Sequence, residues 1–292
     1  MHRDSSIDLL KAMAVMGVVV IHTTAGRLTT QIGSLPWYAA LLGNALCRAA
    51  VPVFLMCSGM LFFDPERELT IRRLFTRYIP RILSVLCLWS LIYRLSHTAG
   101  HLYYLQILLL FYTSVPLVRV FVRHASRKEL WYALGFWFLL GILLPTVKRV
   151  FPMGGIPGQW AMNMTYAAIG YGLLGYALKR KPLKYGVLLF SAGLVLTFGL
   201  TVYCSLRKQL LCTTFLEGMS VGPALMAAGI TSALSGVSRV PRFFSCVSEH
   251  SLGIFLVHVF FLGRVDGVLV FVCSYLAAVL LSKIPYAKRW LI

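Results

Sequence analysis

Long apolar runs alternate along the whole chain with short polar connectors. Ten runs come close to the roughly 20 residues a helix needs to cross a bilayer: 7–26, 38–63, 78–95, 102–122, 130–147, 161–178, 184–204, 218–235, 249–263 and 266–284. The pattern predicts an all-α polytopic membrane bundle of about ten transmembrane helices. The last two runs are separated only by GRVDG (263–267), which demands a very tight turn. Pro52 falls inside the second run and Pro116 inside the fourth, where kinks are tolerated if neighbours satisfy the freed carbonyls. FPMGGIPG (151–158) is a loop rich in turn formers. No internal repeat, low-complexity stretch or separate soluble domain interrupts this order, so residues 1–292 read as one domain. Any chemistry has to be built from helix faces and short loops.

The connectors are mostly basic, and unevenly so. Arg67, Arg72, Arg73 and Arg77 follow the second run; Arg119, Arg123, Arg127 and Lys128 follow the fourth. Lys179, Arg180, Lys181 and Lys184 follow the sixth, Arg239 and Arg242 the eighth, and Lys283, Lys288 and Arg289 the tenth. The alternate connectors carry fewer cations. Because the cation-rich loops stay on the cytoplasmic side, both termini are expected there, which agrees with an even number of spans. Of the 292 residues 59% are hydrophobic and 13% charged, against about 25% charged in a soluble domain. The net charge of +19 is spread over these connectors rather than gathered in one stripe, so it points to membrane topology and not to nucleic acid. The seven cysteines show no CxxC or Cys/His ligand spacing, so neither a metal site nor a disulfide framework is expected; Cys204 and Cys212 are near enough in sequence to pair outside the membrane. The N-terminus has the outline of a signal peptide, but it carries the polar residues described next and is read as an uncleaved first helix.

Ionisable residues inside the apolar runs are costly and mark candidate sites. The first run, IDLLKAMAVMGVVVIHTT, contains Asp8, Lys11 and His22. Eleven residues bring Lys11 and His22 to within about 20° of one helix face with about 16 Å between them. His22 admits two readings: a histidine bonded to a nearby carbonyl, or a general base able to deprotonate a hydroxyl near neutral pH. Lys11 on the same face, with Asp8 a turn below, favours the second. Arg48, in CRAAVPVFLMCSGMLFF (47–63), is expected at the depth of His22, either extending to lipid headgroups or polarising a carbonyl. Arg73, Arg77 and Arg81 recur every four residues in IRRLFTRYIPRIL (71–83), one helix face unless Pro80 breaks it; they suit phosphates or anchoring to anionic lipid. His97, His101 and Tyr103 open the fourth run, as an interfacial belt or as the border of an acceptor site. His258, in SEHSLGIFLVHVFFL (248–262), is either a core histidine or a substrate contact. Intramembrane cations and histidines also suit a transporter of a small polar solute or lipid-linked sugar, although no inverted repeat or pair of matched broken helices is present. No GxSxG, phosphate-binding glycine loop or HExxH occurs.

Taken in order, IDLLKAMAVMGVVVIHTT, CRAAVPVFLMCSGMLFF, GHLYYLQILLLFYTSVPLV, EHSLGIFLVH and YLAAVLLSKIPYAKR resemble the acyltransferase 3 family of bacterial integral membrane acyltransferases. Within it the likeness is to the small O-acetyltransferases of the enterobacterial common antigen type. The resemblance implies a cell-membrane, multi-pass enzyme. It would take acetyl from cytoplasmic acetyl-CoA and place it on a hydroxyl of a cell-surface glycan or lipid-linked saccharide, with no metal. It maps the family's basic residue and histidine onto Lys11 and His22, with Arg48 steadying the oxyanion and Asp8 beside Lys11. Arg73, Arg77 and Arg81 would hold the coenzyme, although the family's paired arginines are matched only at Arg81, with Tyr78 at the other position. His101, Tyr103 and His258 would contact the acceptor.

Overall fold

In a computed structural model the chain is described over residues 4–95, 99–151 and 154–286. Among these residues every regular element is a helix. The elements are α1 (Ser5–Leu28), α2 (Leu35–Leu46), α3 (Ala50–Phe62), α4 (Ile71–Leu95), α5 (Tyr103–His124), α6 (Arg127–Val150), α7 (Met164–Arg180), α8 (Gly186–Lys208), α9 (Val221–Leu234), α10 (Arg242–Glu249), α11 (Ser251–Val257) and α12 (Gly267–Ser282). Six helical stretches are long and apolar enough to span a bilayer, or seven if α10 and α11, bent by 60° at their junction, count as one. Helices also occupy the other three predicted runs, but α7, α9 and α12 are shorter, at 17, 14 and 16 residues.

The prolines behave differently from the simple expectation of kinks. Pro52 lies in the first turn of α3, where backbone N–H groups lack helical partners anyway. It helps start a new helix after the break at 47–49, so the second run is two helices. Pro116 is accommodated inside α5. Pro80 does not break α4. The turn before it, Leu74–Tyr78, is π-helical, and the Ile79 N–H reaches back five residues to the Leu74 carbonyl. A wider turn of this kind relieves the clash of a proline ring with the preceding turn. The same arrangement precedes Pro145, where Phe138–Leu143 is π-helical and the Leu144 N–H bonds the Leu139 carbonyl.

Small residues set the closest helix pairs. A Cβ on Gly59 of α3 would lie 1.9 Å from the Gly172 carbonyl oxygen of α7, and one on Gly193 of α8 would lie 2.5 Å from that of Gly222 on α9. Without a hydrophobic drive between helices in lipid, such backbone approach supplies much of the association. α1 runs through the middle, touching α2, α3 and α9 to α12.

One end of the bundle gathers the basic connectors. The N-cap of α1, Asp4, pairs with Lys179 at 3.3 Å, and Arg180 reaches Asp64 at 3.6 Å and Glu66 at 3.4 Å. Arg119 donates to the carbonyls of Phe62, Asp64, Pro65 and Arg67 at 2.6–3.4 Å. Ser5 bonds the Ser238 carbonyl, and His250 meets Ser282. The connectors after the second, fourth, sixth, eighth and tenth runs therefore share one end with the start of α1. Burial pushes the Asp4 carboxyl up, but hydrogen bonds from Ser6 and the charge of Lys179 outweigh it and hold it below the usual carboxylate value. Cys204 and Cys212 are both free thiols. Lys288 and Arg289, predicted to close the chain, lie outside the described residues, as does His97.

Candidate active site

The polar stripe of α1 opens onto two neighbouring cavities. His22 lines a cavity of about 400 Å³ with Arg48, His101, Tyr103, Asn163, Arg149 and Glu217. Lys11 lines a second, of about 320 Å³, with Arg81, Tyr78, Tyr112, Glu249 and Ser251. Tyr104 and Phe255 line both. Lys11 also faces a shallower pocket with Asp4, Asp8, Arg67 and Lys179 at the basic end.

In the His22 cavity the first two helices are locked by Asn44. This residue is fully buried, and its side-chain nitrogen donates to the Ile21 carbonyl at 3.0 Å and to Thr24 Oγ1 at 2.8 Å. Its oxygen accepts from Arg48 Nε at 2.7 Å. The guanidinium is thereby fixed on the edge of the cavity, with its terminal nitrogens not committed to Asn44. α2 ends at Leu46, so Arg48 sits in the turn between α2 and α3. His22 and Arg48 thus share one level, as their positions in the runs suggested.

His22 stands on the wall of this cavity, on the polar face of α1. Its ring lies 5.0 Å, centroid to centroid, from that of His258, which in turn lies 5.6 Å from His101. His258 is fully buried. Its Nδ1 sits 2.7 Å from the Phe255 carbonyl oxygen. A carbonyl only accepts, so Nδ1 carries the hydrogen and, in the neutral ring, Nε2 presents a lone pair. That Nε2 is buried with no hydrogen-bond partner among the described residues, an exception in folded proteins that calls for a partner in use. The neighbouring Leu256 carbonyl accepts from the Tyr93 hydroxyl. Three imidazoles, one cation and a cavity beside them form a place where a proton can leave a hydroxyl and negative charge on oxygen can be met.

The far rim of this cavity comes from the end of α6 and the connectors before α7 and α9. Arg149 pairs with Glu217, Tyr171 donates to the Gly218 carbonyl, Thr146 donates to that of Met219 at 3.3 Å, and Lys148 donates to that of Gly158 at 2.9 Å. Asn163 caps α7 through the N–H groups of Thr165 and Tyr166.

The predicted residues divide accordingly. His22, Arg48, His101 and Tyr103 share the larger cavity, with His258 packed behind it; Lys11 and Arg81 share the smaller. Asp8 is buried and accepts from Ser248 at 2.7 Å; fourteen residues of helix put it about 21 Å below His22 along the axis. Arg73 and Arg77 are exposed and line neither cavity. Asn44, Arg149, Asn163 and Glu217 did not emerge from the sequence. Only Asn44 left a signal there, as an amide alone in the apolar LLGNALC.

Six or seven helices long and apolar enough to cross a bilayer mark a multi-pass membrane protein. A family model for the acyltransferase domain of the acyltransferase 3 type matches residues 4–286. The chain belongs to that family and is a membrane acyltransferase. No curated protein and no solved structure matches it.

Proposed function

We propose that this protein transfers acetyl from acetyl-CoA to a hydroxyl of a cell-surface glycan or lipid-linked sugar across the cell membrane. The observation that carries the reading is the placement of Lys11 and His22, on one helix, in two cavities that meet at a shared wall. The end rich in basic connectors faces the cytoplasm by the positive-inside bias, which turns the Lys11 cavity toward the coenzyme. Lys11 and Arg81 supply cations for its anionic groups there. Arg73 and Arg77, on the exposed surface of the same helix, act as a more peripheral attraction for phosphate. The His22 cavity then faces outward and receives the acceptor, bordered by His101, Tyr103, Asn163 and the Arg149–Glu217 pair. The resemblance of the sequence to the small O-acetyltransferases of the enterobacterial common antigen type supports a sugar hydroxyl as acceptor.

In the reaction the acceptor oxygen attacks the thioester carbonyl carbon, and the carbon–sulfur bond breaks. His22 takes the hydroxyl proton, which ends on the departing thiolate, so the products are an ester and free coenzyme thiol. Arg48 lies at the right level to meet charge on the carbonyl oxygen as the tetrahedral intermediate forms. His258 Nε2 provides a lone pair beside His22 that can steady its protonated ring. The test is purified protein in lipid nanodiscs supplied with acetyl-CoA and an envelope glycan fraction. Ester-linked acetyl should appear on the glycan with the wild type and vanish with His22→Ala. Undiminished transfer by the folded variant would remove His22 from the mechanism.

A further inference from the structure

We infer that Cys204 and Cys212 are the two halves of a disulfide that closes the connector between α8 and α9 onto α8, and that this bond holds the rim of the His22 cavity in shape. The bond itself stands apart from the acyl-transfer reading above; its effect on the acceptor rests on that reading. α8 ends at Lys208, and the next residue, Gln209, takes a left-handed conformation with φ at 50°. One such residue after a helix turns the chain aside. The connector here doubles back along the helix it has just left, and the Cys212 N–H donates to Ser205 Oγ at 2.9 Å. Ser205 is fully buried and follows Cys204 directly. That places the two cysteines side by side, and their thiols lie within hydrogen-bonding reach of each other. A disulfide needs side chains that face each other and sulfurs that can close to about 2 Å, here by side-chain rotation from an existing contact.

The cation-rich connectors gather at the other end of the bundle, so the positive-inside bias puts this connector outside the cytoplasm, where disulfides form and persist. The two thiols are also unequally covered: Cys204 is partly exposed, whereas Cys212 is buried. Cys204 is therefore the one to react first. Its thiolate attacks the disulfide of an exported thiol–disulfide oxidant, which gives a mixed disulfide and frees one of the oxidant's thiols. Cys212 then attacks the Cys204 sulfur and displaces the other. Two electrons pass from the pair to the oxidant, and the two thiol protons end on its sulfurs. What the bond holds is the rim. Leu216, Glu217, Gly218 and Met219 of this connector line the His22 cavity. Their half is fastened by Tyr171 to the Gly218 carbonyl, by Thr146 to that of Met219 and by Ser220 to that of Thr214. The half nearer α8 starts on the surface, at 209–210. A covalent tie at Cys212 fixes that half too, and keeps Glu217 in place against Arg149.

The experiment counts thiols in the full-length protein. Membranes are quenched in acid, which stops exchange, and the protein is alkylated under denaturing conditions with and without prior reduction, then digested for mass spectrometry. Without reduction every cysteine but Cys204 and Cys212 should alkylate, and the two should appear in linked peptides; after reduction all seven should alkylate. Alkylation of all seven without reduction would overturn the bond. Transfer is then measured in nanodiscs with acetyl-CoA and the envelope glycan fraction. Reductant on the wild type, and Cys204→Ser combined with Cys212→Ser, should each raise the glycan concentration needed for half-maximal rate by about two- to tenfold, the scale of re-ordering a loop at a binding site. KM for acetyl-CoA should not move, and the double variant should not respond to reductant. An unchanged glycan requirement, or a double variant as sensitive to reductant as the wild type, would overturn the role at the rim while leaving acyl transfer in place. A wild type that transfers no acetyl would remove the acyl-transfer reading, and the alkylation pattern would still decide the bond.

Discussion

Asn44→Leu tests whether the cation of the site has to be held in place. Leucine copies the branched shape of asparagine and removes its polar atoms. Thr24 Oγ1 keeps its own bond to the Val20 carbonyl at 2.7 Å, and the Ile21 carbonyl remains in a continuous helix, so the two bonds from Asn44 to α1 cost little to lose. The loss that counts is the 2.7 Å bond from Arg48 Nε, a charge-assisted bond of the kind that contributes about 1.5–3 kcal/mol. The neighbouring cavity lets water reach the released guanidinium, so stability should fall by about 1–2 kcal/mol. Activity should fall further. Removing an oxyanion donor outright costs about 10²–10³ in kcat, and a guanidinium free to swing should forfeit about ten- to hundredfold of that. On the proposed reading, in which the donor binds beside Lys11, KM for acetyl-CoA should stay near wild type. The assay is steady-state transfer alongside thermal melting for Asn44→Leu, Arg48→Ala and the double variant. If Asn44 acts through Arg48, the double variant is no slower than Arg48→Ala alone. Independent, additive losses would refute the coupling.

Further outcomes follow from packing and charge. Gly59→Ala forces a carbon into the Gly172 backbone and should destabilise by about 3 kcal/mol, whereas Gly43→Ala, with nothing within 4 Å of its added carbon, should be neutral or slightly stabilising; melting in detergent separates the two. Arg119→Met abandons four carbonyls in the 62–67 loop and should cost about 2–3 kcal/mol, seen as faster limited proteolysis within that loop. Asp4→Ala removes the N-cap of α1 and its pairing with Lys179, a loss of about 1 kcal/mol at neutral pH. Since the Asp4 carboxyl is held below its ordinary value, that contribution is present above about pH 4 and disappears as pH falls through the lower folded value. Wild type and variant should therefore converge in acid, and a gap that persists unchanged at low pH would assign the effect to packing instead.

Hydropathy carried most of the architecture. Each predicted run holds a helix, and α1 shows the Lys11–His22 relation because both residues belong to one regular element whose rotation is known in advance. Arg48 was placed at the depth of His22 by connector counting alone. Rotation between helices distant in sequence is a different matter. Which face Phe255 turns toward Tyr104 depends on the 60° bend at His250 and on the bonds from His258 and Tyr93, and no periodicity encodes them. The lone Asn44 was visible, but its three partners were not. The rim residues Arg149, in the last turn of α6, and Glu217, in the connector before α9, lay outside the predicted runs, where charge is ordinary.

The π-helical turn ahead of Pro80 ties the length of α4 to its chemistry. Such a turn holds one residue more than the α-helical turn it replaces. Deleting a single residue from 74–78 would shift the phase of the remainder of the helix by about 100° and draw it back by about 1.5 Å. Arg81 would leave the wall of the Lys11 cavity, Trp89 and Tyr93 would leave the core, and Tyr93 would release the Leu256 carbonyl. Proline and extra residue are thus one unit of inheritance: a chain shortened at this point has to lose both together, or re-aim every side chain up to Leu95.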